Sequence, residues 1–75
     1  MTLKTRNNEV AIDGARVRAR REQCQFTQAN TAYRARIATE TLCRIENAGV
    51  GSVQKLTAGS IARVLGCKVA DLLPE

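Results

Sequence analysis

The segment TETLCRIEN, residues 39–47, places polar side chains on one side of a helix. On a wheel of about 100° per residue, Leu42 and Ile45 point one way. The polar side chains point roughly the opposite way: Glu40, Cys43, Arg44 and Asn47, with Thr39 at the edge. A helix with an apolar stripe of two residues cannot be buried on all sides. Its polar face is either a solvated surface, the usual case, or a surface that meets a partner.

Other residue types that could do chemistry are scarce. The chain has no histidine, no glycine-rich phosphate loop and no pair of carboxylates at a useful spacing, so we expect no enzyme and no cofactor. Cys24, Cys43 and Cys67 are odd in number and far apart, which excludes a zinc site of close cysteine pairs. We expect these three thiols to be reduced and to pack in the fold.

The charge of the chain is basic and unevenly distributed. Twelve Lys and Arg against seven Asp and Glu give a net charge of +5. Residues 1–36 hold eight basic and three acidic side chains, whereas residues 37–75 hold four of each. All the net positive charge therefore lies in the first half. It marks either a solvated helix face or a surface that faces phosphates.

Length and composition bound the architecture. Seventy-five residues make one domain, and a chain of this size buries only about 60% of its unfolded surface. With 44% apolar residues, one Phe, one Tyr and no Trp, the core should consist of Ala, Val, Leu and Ile. No apolar run is long enough to span a membrane, and the first residues do not resemble a signal peptide. We expect a cytoplasmic protein.

Capping and turn residues predict five short helices after a flexible arm over residues 1–9. Asp13 can cap the first helix and Thr27 the second; the third covers about residues 38–47. Residues 48–54 are expected to form a loop, and the fourth helix should end at Gly66. Pro74 stops a last short helix. The expected fold is a compact, all-α bundle of five helices in one domain, residues 10–75.

The second and third helices are separated by about three residues centred on Arg36 and Ile37, a spacing typical of a helix-turn-helix. Several segments around them resemble the Cro and cI-type repressor helix-turn-helix domains, the XRE family. The family's opening G-x-R-[IL]-R-x-L-R-E is matched, except at one position, by GARVRARRE. Other matching positions follow in order: Thr27-Gln28, Ala32, Ile37, Leu42, Ile45, Glu46, Asn47, then Ala62, Leu65 and Gly66.

The resemblance implies sequence-specific binding of double-stranded DNA by a small transcriptional regulator, a repressor that forms a homodimer at least on DNA. It implies no small-molecule ligand and no membrane. The third helix would enter the major groove, with base contacts from Thr39, Glu40 and Arg44 and a weaker one from Cys43. Phosphate contacts would come from Thr27, Gln28, Arg34, Arg36, Asn47 and Lys55. Arg21 occupies the place of the family's salt-bridge arginine, which predicts an Arg21–Glu46 pair.

The chain also departs from the family pattern. Arg36 stands where the family has a turn glycine and would need a positive φ, at a cost of about 1 kcal/mol. Ala38 replaces the usual Ser or Thr cap of the third helix, and Gln25 replaces a glycine after the first. Arg20 and Thr31 occupy positions where Leu is common. An alternative is therefore a protein-interaction module, antitoxin-like or an accessory subunit, whose partner covers those two positions.

Overall fold

The computed structural model describes residues 8–75 and contains both helices and a sheet. In chain order the elements are β1 (Glu9–Asp13), α1 (Gly14–Gln23), α2 (Gln28–Ala35), α3 (Thr39–Asn47), β2 (Val50–Gln54), α4 (Lys55–Leu65) and a 3-10 helix (Val69–Leu72). The expectation of an all-α, five-helix bundle is therefore wrong. The described residues form four α-helices and a two-stranded antiparallel sheet.

The sheet joins two segments that the sequence assigned to other structures. Strand β1 pairs antiparallel with β2, from Glu9 opposite Gln54 to Asp13 opposite Val50. The segment expected as a loop, residues 48–54, thus contains β2. Its alternation is hard to recognise because Gly51, which faces Ile12, has no side chain. Two five-residue strands are also unstable alone, so their pairing depends on helices packed against one face.

The predicted flexible arm, residues 1–9, lies mostly outside the described residues. Within it, Glu9 is the first residue of β1. The carbonyl of Asn8 accepts a hydrogen bond of 2.7 Å from the backbone N–H of Lys55. Backbone pairing thus holds the chain at Asn8 and Glu9, two residues of the predicted arm.

The junction between β1 and α1 contacts the end of α3 closely. The Asp13 side chain caps α1 by accepting from the Ala15 N–H at 3.0 Å, as its position predicted. Next to it, Gly14 is buried, and a Cβ at this residue would overlap the carbonyl oxygen of Ile45. Glycine is required at this residue because the backbones of α1 and α3 touch.

Small side chains let the helices approach each other in the core. Helices α2 and α4 pack through Ala32 and Ala35 on one side and Ala58 and Ala62 on the other, all buried. The larger side chains with less than 2% of their surface exposed are Ile12, Val17, Leu42, Ile61, Leu65 and Leu72. Both strands and all four helices contribute to or pack against this one core.

Two positions where the family has Leu take other roles in this fold. Thr31 is fully buried in the core, and its hydroxyl oxygen has no hydrogen-bond partner among the described residues. Arg20 reaches the end of α4, where its guanidinium donates to the carbonyls of Leu65 (3.5 Å) and Gly66 (3.3 Å). Cations at a helix C-terminus are stabilising because the terminal carbonyls are unsatisfied. A partner is not needed to cover either residue.

Within the described range, two non-glycine residues adopt a left-handed conformation. Arg36 ends α2 with φ 62°, as its place in the turn predicted, and Gln25 follows α1 with φ 61°. Gly66 ends α4 at φ 69°, also as expected. The predicted fifth α-helix is instead a single 3-10 turn, in which Asp71 accepts from the Lys68 N–H at 3.0 Å. Among residues 8–75, no helix is long and apolar enough to cross a membrane.

Candidate nucleic-acid interface

Helix α3 is buried on one side and exposed on the other. Leu42 is fully buried in the core, and Glu46 keeps only 6% of its surface exposed. On the opposite side Thr39, Glu40 and Arg44 are exposed, whereas Cys43 is half-buried. The three residues expected to contact bases most strongly therefore lie together on one accessible face, and Cys43 lies at its margin.

A buried ion pair holds the inner side of α3 against α1. Arg21 Nε donates to Glu46 Oε2 at 2.7 Å and Arg21 Nη2 to Glu46 Oε1 at 3.0 Å, so the predicted pair is present. The Glu46 side chain is 1% exposed and that of Arg21 is 11% exposed. The Arg21 Nη1 group also donates to the Phe26 carbonyl at 2.8 Å. This geometry is bidentate, which fixes the direction of both side chains.

A second residue that donates to Glu46 was not foreseen. Gln28 Nε2, at the first position of α2, donates to Glu46 Oε1 at 3.0 Å. Burial by itself would raise the pKa of Glu46, but hydrogen bonds from Arg21 and Gln28 outweigh it and hold the pKa below its ordinary value. The hydrogen bond to Glu46 likewise raises the pKa of Arg21. One carboxylate thus joins α1, α2 and α3.

Gln28 was expected to contact a DNA phosphate, and it can do so only if its hydrogen bond to Glu46 leaves a donor free. Its amide has two N–H groups, of which one donates to Glu46. The side chain is half-buried, so the second N–H is the one that could reach another molecule. No sequence signal pointed to the Gln28–Glu46 bond, since the two residues share neither a helix nor a turn.

The start of α2 is held by local contacts. Thr27 caps the helix by accepting from the Asn30 N–H at 3.0 Å. Arg34, the second-to-last residue of α2, places its guanidinium carbon 5.2 Å from the centre of the Phe26 ring. Such a cation–π contact orients the side chain without neutralising its charge. Arg34 therefore remains available to an anion.

The arginines of α1 have partners within the fold. Arg16 pairs with Glu75 at 2.8 Å, and Arg18 pairs with Glu22 at 3.1 Å. Arg20 and Arg21 make the contacts already described. Four of the six basic side chains within residues 8–36 are thus used internally, which the uneven charge distribution did not reveal.

Other cations have no ion pair among residues 8–75. This set comprises Arg34, Arg36, Arg44 and Lys55, all exposed, with Arg63 and Lys68 at the far end of α4. Three of the first four lie on α2, on the turn after it, or on α3, and Lys55 begins α4. Among residues 8–75, four of these six cations thus lie between α2 and the start of α4, and two lie at or after the end of α4.

The remaining candidate residue, Asn47, ends α3 and is exposed. Its amide Nδ2 donates to Cys43 Sγ at 3.3 Å, one turn earlier on the same helix. The other two thiols lie elsewhere: Cys24 donates to the Leu65 carbonyl at 3.6 Å, and burial raises the pKa of the Cys67 thiol. All three cysteines are free. In the described part of the chain no group of three His, Cys, Asp or Glu side chains could hold a metal ion.

Comparisons with known proteins relate the fold to part of an enzyme. No protein-family model and no curated protein sequence matches the chain. Three solved structures are similar: apo-HppE, hydroxypropylphosphonic acid epoxidase from S. wedmorenis, and FeII HppE in complex with substrate. Each has a TM-score of 0.67 and 27% sequence identity over 81% of this chain. The match covers only 34%, 32% and 35% of those chains, so this fold is similar to about a third of the longer enzyme.

Proposed function

We propose that the protein binds double-stranded DNA in a sequence-specific manner through the exposed face of α3 and acts as a small transcriptional regulator, a repressor. The main support is that α3 has one buried side and one exposed polar side. Its inner side is anchored by Leu42 and by the Glu46 ion pair. Its outer side presents Thr39, Glu40 and Arg44, and Arg44 has no ion pair with another residue of the 8–75 range. The resemblance of the segment from Thr27 to Asn47 to Cro and cI-type domains supports the same function.

The chemistry of the outer face suits base edges in a major groove, which is wide enough to admit an α-helix. Arg44 can donate two hydrogen bonds to O6 and N7 of guanine, and Glu40 can accept from N4 of cytosine. Thr39 offers a hydroxyl and a methyl group. A carboxylate near phosphates is otherwise repelled, so Glu40 restricts the sequences that the helix accepts.

The surroundings of α3 suit the phosphate backbone. Thr27 and Gln28 stand at the N-terminus of α2, where free N–H groups and the helix dipole favour an anion. Arg34, Arg36 and Lys55 add exposed cations without ion pairs to other described residues. Contacts of this kind position a protein on DNA and do not read the sequence. Asn47, with its amide at the exposed end of α3, belongs to the same group.

The proposal includes a location and an assembly. A DNA-binding regulator of this type works in the cytoplasm, and two copies would bind half-sites about one helical turn apart. The dimer would form at least on DNA. Base-specific contacts from one short helix cover few base pairs, which is why two copies are needed for a selective site.

Fluorescence anisotropy with a labelled random-sequence duplex tests the proposal. Affinity should fall steeply as salt rises, by roughly a thousandfold between 50 and 200 mM if about six phosphates are contacted. Selection of bound sites from random duplexes should then return a consensus that Arg44→Ala changes. Arg18→Ala is the matched control, because Arg18 is already paired with Glu22. Affinity that does not depend on salt, or selection without a consensus, would contradict the proposal.

A protein-interaction module is the second candidate, and exposed apolar side chains favour it. Tyr33 on α2 is 83% exposed and Leu56 on α4 is 84% exposed. Arg20 and Thr31 do not favour this candidate. Thr31 is buried in the core, and Arg20 donates to carbonyls at the end of α4, so neither needs a partner protein to cover it. Binding that withstands high salt and is lost in Tyr33→Ser would favour this candidate.

A further inference from the structure

The outer edge of β2 carries backbone groups without partners. The Gly14 N–H donates to the Gly49 carbonyl at 2.7 Å, in register with the β1–β2 ladder. Bonded and non-bonded residue pairs alternate along an antiparallel ladder. The N–H and C=O groups of Val50 and Ser52 consequently point away from β1. They make no hydrogen bond to another residue in the described range.

This edge borders a groove between β2 and α3. Two adjoining cavities of about 100 Å³ and about 270 Å³ lie along it. The smaller is floored by apolar side chains, and the larger has hydroxyl and amide groups along its walls. Residues that line both cavities are Arg44, Ile45, Ser52 and Val53. The groove therefore continues the inner face of the sheet beyond β2, at the place where another strand would lie.

Two charged side chains, Arg44 and Glu9, line the groove. Arg44 is exposed and has no ion pair among residues 8–75. Glu9 also lines the larger cavity, but it has an interaction of its own. The strand β2 itself carries no charged residue and no proline, the usual devices that keep an edge from pairing. The edge is thus open to another strand. The nearby Arg44 favours a strand that carries a negatively charged side chain.

We propose that this groove binds an extended acidic peptide by adding it as a third strand to β2. Backbone groups of the peptide pair with Val50 and Ser52. One aliphatic side chain of the peptide fills the smaller cavity. A carboxylate side chain two residues away lies in the larger cavity and binds Arg44. Alternate residues of a strand face the same side, so a spacing of two residues places both side chains in the groove. The groove shares Arg44 with the outer face of α3, but the peptide proposal does not require that the protein bind DNA.

A second copy of the chain fits the edge less well than such a peptide. Antiparallel pairing of β2 with its copy would bring both α3 helices to the same side of the sheet. Each Arg44 would then face the other, and the inward residues Gly51 and Val53 would supply no carboxylate. Like charges at close range oppose that arrangement. A peptide with an acidic residue meets the free cation instead.

The probe is the peptide Ac-Thr-Asp-Thr-Val-Thr-Asp-Thr-NH2, whose sequence reads the same in both directions. It is titrated into the full chain labelled with nitrogen-15. The amide signals of Val50, Ser52 and Gln54 should shift and gain protection from hydrogen exchange, because their N–H groups face the added strand. The amides of Gly51 and Val53, which face β1, should change less. A peptide with Lys in place of both Asp residues should not bind.

Two proline variants separate the edge from the fold. Ser52→Pro removes an N–H that faces the groove, whereas Ala11→Pro removes the N–H of its cross-strand neighbour on the opposite edge. Proline is tolerated where the missing N–H would face solvent. Ser52→Pro should weaken peptide binding about tenfold, the value of one hydrogen bond, and Ala11→Pro should leave it unchanged. Arg44→Ala should weaken it by a similar factor.

Several results would overturn the proposal. No shift at Val50 and Ser52 with millimolar peptide would show that the edge does not accept a strand. Equal loss of binding in both proline variants would mean that the substitutions disturb the fold and not the edge alone. In that case a peptide methylated at its backbone nitrogens, which cannot donate backbone hydrogen bonds, is titrated instead. Undiminished binding of the methylated peptide would exclude strand addition. Shifts of the same amides that depend on protein concentration without peptide would identify a second copy as the occupant.

Discussion

Helices α1 and α3 both present arginines, but they use them in different ways. Helix α1 carries four arginines, and each contacts a carboxylate or a helix carbonyl of the same chain. Helix α3 carries Arg44 alone, exposed and without an ion pair in the described part of the chain. The two helices touch where Gly14 meets Ile45. The segment with the most positive charge is thus the one that stabilises the fold.

The difference follows from what lies beside each helix. Carboxylates reach α1 from its own N-terminus, from one turn along it, from α3 and from residue 75. Helix α3 has Glu46 on its inner side and Glu40 in its first turn, neither of which neutralises Arg44. Net charge therefore locates a binding surface only after internal ion pairs are subtracted. The basic side chains without an ion pair in the described range include Arg44 on α3.

The largest effect should come from breaking the internal pair. Arg21→Met leaves the 1%-exposed carboxylate of Glu46 without its main partner, and losses of about 3–5 kcal/mol are typical for one half of a buried pair. Arg18→Met, which breaks an exposed pair with Glu22, should cost no more than about 1 kcal/mol. Urea unfolding followed by circular dichroism measures both.

Combining Arg21→Met with Glu46→Ala sharpens this test. The double variant should be more stable than the sum of the two single losses predicts, because no charge is left unpaired. Additive losses would mean that the two residues do not stabilise one another. If Arg21→Met does not fold, the stability of Glu46→Gln is measured in its place. This variant removes the charge of Glu46 but keeps a side chain that can form hydrogen bonds.

Acid should weaken the internal pair as well. The pKa of Glu46 is lower in the folded protein than its ordinary value of about 4.3. A carboxyl with a lowered pKa stabilises the fold fully above its unfolded pKa, and this contribution is lost as pH falls through the folded pKa. Stability should therefore decline below about pH 4.3, and Glu46→Gln should make that decline shallower. An equal decline in both proteins would assign it to other carboxylates.

Changes on the outer face should alter DNA binding and leave the fold intact. Arg44→Ala should cost about 1–3 kcal/mol of affinity for the selected site and relax preference at one base pair. Arg18→Ala should leave both unchanged, since that charge is already paired. Anisotropy with selected and random duplexes measures the two effects. Equal losses on both duplexes would make Arg44 a phosphate contact.

The smallest effects concern the two left-handed residues. Arg36→Gly and Gln25→Gly should each stabilise the fold by up to about 1 kcal/mol, because both residues have a φ near 60°. Only Arg36→Gly should weaken DNA binding, since it also removes an exposed cation. Thermal melts and anisotropy together separate the two roles. A lower melting temperature for Arg36→Gly would reveal a contact of its side chain that outweighs backbone strain.

Local chemistry made several features predictable from the sequence. Asp13 and Thr27 cap helices because short polar side chains accept from the first free N–H groups. Gly66 and Arg36 end helices in a left-handed conformation that their sequence positions indicated. The Arg21–Glu46 pair followed from the resemblance of their positions to a family pattern. Each of these depends on neighbouring residues or on a recurrent spacing.

The tertiary structure alone decided which distant groups meet. EVAID alternates as a strand should, but its partner is VGSVQ, far along the chain, and glycine hides the alternation there. The Gln28 amide meets Glu46, and Arg20 meets the carbonyls at the end of α4, only after four helices have packed. Such contacts leave no local pattern because their stability comes from burial and closed geometry. The sequence determined where helices begin and end, and packing determined which charges remain free to bind.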